Sequence, residues 1–201
     1  MKGFDCASIV KPEWAPQLRA LGYEFFARYY RRTLVSKWAV SPEEAKHLFD
    51  AGLWMLSVFQ FTDKVSELTK ANALADATAA LAKAAQMKQP KSSTIYFAVD
   101  CAPMEEQMPM VLDYFDTIMH RVVAEGYVVG VYGPGAVCQR VIDASLAKCG
   151  WLAGATAWPG YKAYKPKAAV IQKMPSITLP FGLEIDENEA VSPEVAGLWR
   201  P

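Results

Sequence analysis

The sequence predicts an α/β fold: a trimmed (β/α)8 TIM-like barrel with mostly parallel strands, in a single domain spanning residues 1–201. Three observations predict it. Short apolar, strand-like runs alternate with helix-like stretches along the whole chain, and eight such runs are found, the number that closes a parallel barrel. Three of these runs deliver an acid: Gly3-Phe4-Asp5, Tyr96-Phe97-Ala98-Val99-Asp100 and Leu183-Glu184-Ile185-Asp186. Strand tips are where the sites of parallel α/β folds assemble, because the following loops open onto solvent there.

The elements follow in order. A first strand is expected at 3–7 and a second, rich in aromatics, at 24–30. Ser41-Pro42-Glu43-Glu44 starts a helix, with Ser41 as cap and Pro42 in the first turn. Gly52 ends that helix and leads into a strand at 52–60. Residues 67–87 are Ala-rich, with Leu68, Leu74 and Leu81 as a stripe and Pro90 as the stop. The fourth strand, 94–100, precedes a helix whose Met108, Val111, Leu112, Phe115, Ile118, Met119 and Val122 share one face. Gly126 closes that helix before a strand at 127–132. Further strands are expected at 151–156, 168–173 and 183–187. The stretch from Trp151 to Leu183 is rich in Gly and Pro, so the barrel is expected to be trimmed there.

Composition narrows the function. The 201 residues suffice for one sizeable core, and 52% hydrophobic with 21% charged residues is ordinary for a globular protein. Twenty-one basic and 21 acidic residues cancel, which leaves no electrostatic footprint for nucleic acid and no broad basic field for anionic lipid. The densest apolar run, 53–61, falls far short of the ~20 residues of a spanning helix, so no membrane span is expected. Met1-Lys2-Gly3 runs into Phe4-Asp5 without the apolar centre of a signal peptide. Synthesis in the cytoplasm is therefore expected, with any export through a dedicated secretion system or release by phage lysis. Cys6, Cys101, Cys138 and Cys149 form no CxxC pair and have no His at metal spacing. No metal or cofactor is expected, and reduced thiols are. Cys138 and Cys149 bracket a predicted helix and would stand about 16 Å apart, too far for a disulfide.

Strand phase places the acids. Side chains alternate, so Asp100 opposes Phe97 and Val99, Asp5 opposes Phe4, and Asp186 opposes Leu183 and Ile185. The bulky set would face the helices and the acids the barrel mouth. Extending the phase adds Arg28, Gln60, Tyr132 and Gln172 at strand ends. Glu184 shares the face of Asp186, and is expected one layer deeper, either as a buried acid suited to proton donation or in a salt bridge to Arg28. Two carboxylates on one cleft are the usual minimum for cleaving a glycosidic bond. Gln60 and Gln172 are candidates for sugar hydroxyls; Tyr29, Tyr132, Trp158 and Tyr161 offer flat faces for pyranose rings. Each acid also has a structural alternative. Asp100 would cap the next helix, Asp5 a loop, and Asp186 a last turn. Glu105 and Glu106 suit a helix dipole, His47 and His120 are read as structural or solvated, and Arg28, Arg31 and Arg32 as a solvated or ion-paired turn rather than an anion site.

Gly3-Phe4-Asp5, Ala27-Arg28-Tyr29, Ser41 to Glu44, Ala51-Gly52-Leu53, Ile95 to Asp100, Val129-Gly130-Val131-Tyr132-Gly133 and Ile185-Asp186 occur in a familiar order. Together they resemble the Rv2525c-like glycoside-hydrolase-like domain (domain of unknown function 1906), over essentially residues 3–190. That domain is similar in fold to the family 25 lysozymes, which are muramidases on a trimmed barrel. The resemblance implies a lysozyme-like glycosidase acting on the bacterial cell wall. In those lysozymes the fourth strand ends in Asp-x-Glu, and the Glu is the general acid. Here the matching residues are Asp100-Cys101-Ala102, so the acid position is Ala102.

Two readings follow. One is a hydrolase of peptidoglycan or another N-acetylated glycan, working as a monomer through Asp5, Asp100, Asp186 and Glu184. An N-acetylated sugar would then supply its own amide oxygen as nucleophile. The other is a barrel that kept the cleft and lost the acid, used to bind saccharide or as an interaction or delivery module.

Overall fold

The computed structural model describes residues 1–33 and 38–201. Its elements are β1 (Lys2–Asp5), α1 (Ala15–Ala20), β2 (Phe25–Tyr30), α2 (Pro42–Asp50), β3 (Trp54–Phe59), α3 (Lys70–Gln86), β4 (Thr94–Ala98) and α4 (Met108–Ala124). There follow β5 (Val128–Gly133), α5 (Gly135–Asp143), β6 (Cys149–Leu152), α6 (Tyr161–Tyr164), β7 (Val170–Gln172), β8 (Ile177–Thr178), β9 (Glu184–Ala190) and α7 (Pro193–Ala196).

Strands β1 to β7 pair in sequence order, each parallel to the next. Strand β9 then pairs antiparallel with both β7 and β1, and so closes an eight-stranded barrel. The fold class expected from the sequence is the one observed.

The closing strand corrects one expectation. Asp186 does not end a parallel strand; it lies near the start of β9, directly across from Asp5. No helix separates β7 from β9. A parallel return needs a crossover of a dozen or more residues, usually helical. The chain between Gln172 and Glu184 instead forms a short hairpin, with β8 paired to β9, and comes back down the barrel. Trimming thus falls where it was expected, with α6 reduced to a single turn and the last crossover helix absent.

The barrel has two cores. Phe4, Phe26, Phe59, Ile95, Phe97, Val99, Val129 and Val131 face outward and pack under the helices with Leu48, Val111, Phe115 and Ile118. Phe25, Leu56, Val58, Tyr96, Ala98 and Trp151 fill the interior. Glycine is required at two interior positions: a Cβ on Gly3 would sit 2.3 Å from the Phe25 ring, and one on Gly130 would sit 2.6 Å from the Tyr96 ring. The large rings occupy the space that neighbouring strands leave empty.

Helix α2 begins as expected, with the Ser41 hydroxyl accepting from the Glu44 amide at 3.1 Å. Helix α3 differs in its buried face. Ala73, Ala77, Ala80 and Ala84 pack inward, whereas Leu74 is exposed and Leu81 only partly buried. Small residues let this helix lie close on the sheet; of the leucine stripe, Leu68 is buried, Leu81 packs against the core and Leu74 turns outward. At the bottom of the barrel the C-terminal segment serves as a plug. Ala196 and Leu198 join the interior cluster, and the Tyr96 hydroxyl donates to the Ala196 carbonyl at 2.9 Å.

Candidate functional site

At the opposite end, where β1 to β7 terminate, Asp5, Tyr29, Val58, Gln60, Ala98, Asp100, Tyr132, Trp151 and Gln172 line a pit of about 20 Å³. Each arrives from an inward-facing strand position or from one of the first two residues past a strand. Gln172 organises one side. Its Nε2 donates to Asp5 Oδ2 at 3.0 Å and to Asp186 Oδ2 at 3.1 Å, while its Oε1 accepts from the Tyr132 hydroxyl at 2.9 Å and the Gly154 amide at 3.1 Å. Asn188, two residues beyond Asp186 on the same face, donates to Asp5 Oδ2 at 2.7 Å and is itself held by the Trp151 indole at 2.8 Å. Asp186 also accepts from the Ser176 hydroxyl.

The two principal acids differ in setting. Asp5 is buried, and loss of hydration raises its pKa to about 7 against the opposing hydrogen bond from Asn188, with the Asp186 charge adding to the rise. Both amide donors reach Oδ2, so Oδ1 is left for a proton or a ligand. Asp100 is half-buried and, among the described residues, accepts from Gln60 Nε2 at 3.0 Å on Oδ2. Burial again raises its pKa, partly offset by that hydrogen bond, while Asp63 raises it and Arg31 lowers it. The first turn after β4 is capped at Met104, so Asp100 caps no helix. Burial beside Asp5 and Asp100 also raises the pKa of Tyr29, keeping its hydroxyl neutral and able to donate.

Beside the pit lies a groove of about 490 Å³, lined by Ala7, Tyr29, Arg31, Arg32, Thr33, Trp38, Gln60 and Phe61. Tyr29 and Gln60 wall both spaces.

The structure brings together Asp5, Asp100, Asp186, Tyr29, Gln60, Tyr132 and Gln172. Three candidates stand elsewhere. Arg28 lies on the outer face of β2, fully buried, with its guanidinium forked on Glu44 of α2 at 2.8 and 3.1 Å and donating to the Cys6 carbonyl at 2.8 Å. Successive side chains point to opposite faces, so Arg28 cannot share the cleft with Tyr29. Glu184 is exposed at the hairpin end of β9, farther out than Asp186 rather than deeper, because the strand runs antiparallel; it makes no salt bridge to Arg28. Trp158 is half-buried in the connection after β6 and does not line the pit. Glu105 pairs with Arg140 on the surface, and His47 holds the Val10 carbonyl at 2.8 Å. Among the described residues no group of three His, Cys, Asp or Glu side chains is placed to hold a metal ion.

Sequence reasoning missed Asn188, Trp151 and Arg31. The period-two signal that picked Asp186 extends to Asn188, and the same alternation puts Trp151 inside β6. Arg31 left no such signal, because it follows the end of β2.

A model of the Rv2525c-like, glycoside hydrolase-like domain matches residues 16–190. The Bacillus subtilis protein YbfG is 32% identical over 175 residues, covering 80% of this chain and 24% of YbfG. The chain therefore spans about a quarter of the length of that relative. Among solved structures, the Tat-secreted Mycobacterium tuberculosis protein Rv2525c, in complex with L-tartrate, is similar with a TM-score of 0.83 at 22% identity, over 99% of this chain and 98% of that one. GHIP, a glycosyl hydrolase 25 of Streptococcus pneumoniae, is similar with a TM-score of 0.65 at 10% identity, over 96% and 92%. At such identities the likeness is one of fold.

Proposed function

The chain belongs to the Rv2525c-like, glycoside hydrolase-like domain family, and on that premise we propose that its barrel mouth cleaves bacterial cell-wall glycan, peptidoglycan in the first place. One observation carries the reading: two carboxyl groups of different character face one pit. Asp5 holds a proton near neutral pH, and its Oδ1 is the oxygen without an amide donor. Asp100 is the more accessible acid, and among the described residues no side chain donates to its Oδ1.

In this reading Asp100 meets the ligand and orients the N-acetyl group, whose amide oxygen attacks the anomeric carbon. Asp5 supplies the proton for the leaving oxygen. The pit between them has room for about one water, enough to pass a proton from a donor too deep to touch the sugar. Tyr29 and Tyr132 offer ring faces, and Gln60 a polar edge. The cleft is complete in one chain, which suits a monomer. Made in the cytoplasm, the protein would act after export, as the Tat-secreted Rv2525c is exported.

A second reading is binding without cleavage. Ala102 stands exposed at the position that holds the general acid in the family 25 lysozymes, and loss of such a group costs a factor of about 10² to 10⁴ in rate. Release of soluble muropeptides from purified peptidoglycan decides between them. Release by the wild type and none by folded Asp100→Asn supports hydrolysis. Pull-down on peptidoglycan without release supports binding. Neither release nor pull-down would remove the saccharide reading.

A further inference from the structure

The groove beside the pit differs from it in charge. Asp5 and Asp100 line the pit, whereas among the described residues no carboxylate lines the groove, which carries Arg31 and Arg32 instead. Arg32 is committed: its Nε donates to Asp76 at 2.7 Å, its Nη2 to Asn72 Oδ1 at 2.9 Å, and its guanidinium lies over the Phe61 ring at 3.4 Å. Arg31 is not. It stacks over the Tyr29 ring at 4.9 Å and gives Nη1 to the Gln60 carbonyl at 2.8 Å. Its Nε is buried and has no hydrogen-bond partner among the described residues. A buried N–H left unpaired costs about 1–3 kcal/mol. Stacking and the Nη1 bond fix the plane of the guanidinium and leave its Nε edge without an acceptor among the described residues.

An acceptor at that edge would satisfy Nε, and a planar carboxylate fits a guanidinium edge better than a hydroxyl does. Tyr29 joins the two spaces and gives a flat apolar face, the surface on which a sugar ring stacks. We infer that the groove is a subsite for a carboxylate carried by a sugar ring, with Arg31 as its anchor and the neighbouring ring seated towards Asp100. This rests on the saccharide reading and names the ligand class: an acidic glycan rather than a neutral one. Such a carboxylate has two sources: a lactyl ether with a free carboxyl, as in muramic acid without its peptide, and the ring itself, as in a hexuronate.

The test compares matched ligands on the whole protein by calorimetry. The probes are an N-acetylglucosaminyl-N-acetylmuramic acid disaccharide with a free lactyl carboxyl, the same disaccharide with that carboxyl reduced to the alcohol, and an N-acetylglucosamine–glucuronate disaccharide. The wild type should bind at least one acid roughly tenfold more tightly than the reduced form, and which acid is preferred identifies the source of the carboxylate. Arg31→Gln should erase the preference. Should that variant fold poorly, the Nε–Hε resonance of Arg31 in the ¹⁵N-labelled wild type supplies the readout, shifting with the acid and not with the alcohol. Equal affinity for both acids and the alcohol overturns the subsite while leaving the saccharide reading standing. Binding of none of the three overturns both.

Discussion

Asp5 and Asp186 face each other across the antiparallel seam that closes the barrel, and both accept a hydrogen bond from the one Nε2 of Gln172, at 3.0 and 3.1 Å. Burial away from water is the main cause that favours the protonated form of Asp5, and the Asp186 charge across the seam adds to it, so Asp5 keeps its proton to a higher pH than a free aspartate does.

Stability should record that proton. Unfolded, an aspartate titrates near ~3.9; folded, Asp5 titrates at about 7. Between those values the folded chain binds more protons than the unfolded one, so unfolding free energy falls as pH rises from about 4 to about 7 and levels off above. Asp5→Asn supplies an oxygen for Asn188 and Gln172 and an amide where the proton sat. It should remove this slope and raise stability at pH 8 by up to about 4 kcal/mol, measured by urea unfolding across pH.

Gln172→Ala strips four hydrogen bonds from the mouth. It leaves the Gly154 amide and the Tyr132 hydroxyl unpaired and takes a donor from Asp5. A loss of about 2–4 kcal/mol is expected on denaturation, together with an Asp5 pKa above that of the wild type by carboxyl ¹³C NMR.

Ala102→Glu restores a carboxyl group at the position lacking one. Ala102 is exposed, so the larger side chain meets no packed core. If the missing donor limits hydrolysis, muropeptide release should rise by roughly a hundredfold. An unchanged rate in a folded variant would mean that Asp5 already does this work or that no cleavage occurs, and Asp5→Asn in the same assay tells the two apart.

Arg28→Met leaves the Glu44 carboxylate as a buried charge without its guanidinium, with the Val10 amide still donating to it. About 3–5 kcal/mol of stability should be lost. Saccharide affinity of the folded fraction should stay at the wild-type level, because Arg28 points away from the cleft. A selective loss of affinity would return Arg28 to the site.

All four cysteines are free, and only Cys101 is more than marginally exposed. Burial and the nearby Asp100 push the Cys101 thiol up to about 11, and burial raises Cys6 to about 12. A disulfide-exchange reagent at pH 7 should modify Cys101 slowly in the native protein, and all four thiols after unfolding without reductant.

The sequence by itself determined the local facts. Strand-like runs separated by helical stripes located the eight barrel strands to within a few residues, with the sixth found at Cys149–Leu152 rather than 151–156, and left the short β8 unforeseen. Period-two alternation put Asp5, Asp100 and Asp186 opposite the bulky apolar set, and the order of motifs carried the family. These are properties of neighbouring residues and need no partner. Tertiary structure decided two things. It turned β9 around, which put Asp186 across from Asp5 and sent Glu184 outward, because the chain between Gln172 and Glu184 holds no crossover helix. It also chose which face of β2 looks inward. A strand covered on both sides is apolar on both, so Phe26, Arg28 and Tyr30 read much like Phe25, Ala27 and Tyr29. Only the packing of α2, with Glu44 waiting under it, assigns Arg28 to the outside and leaves the cleft to Tyr29.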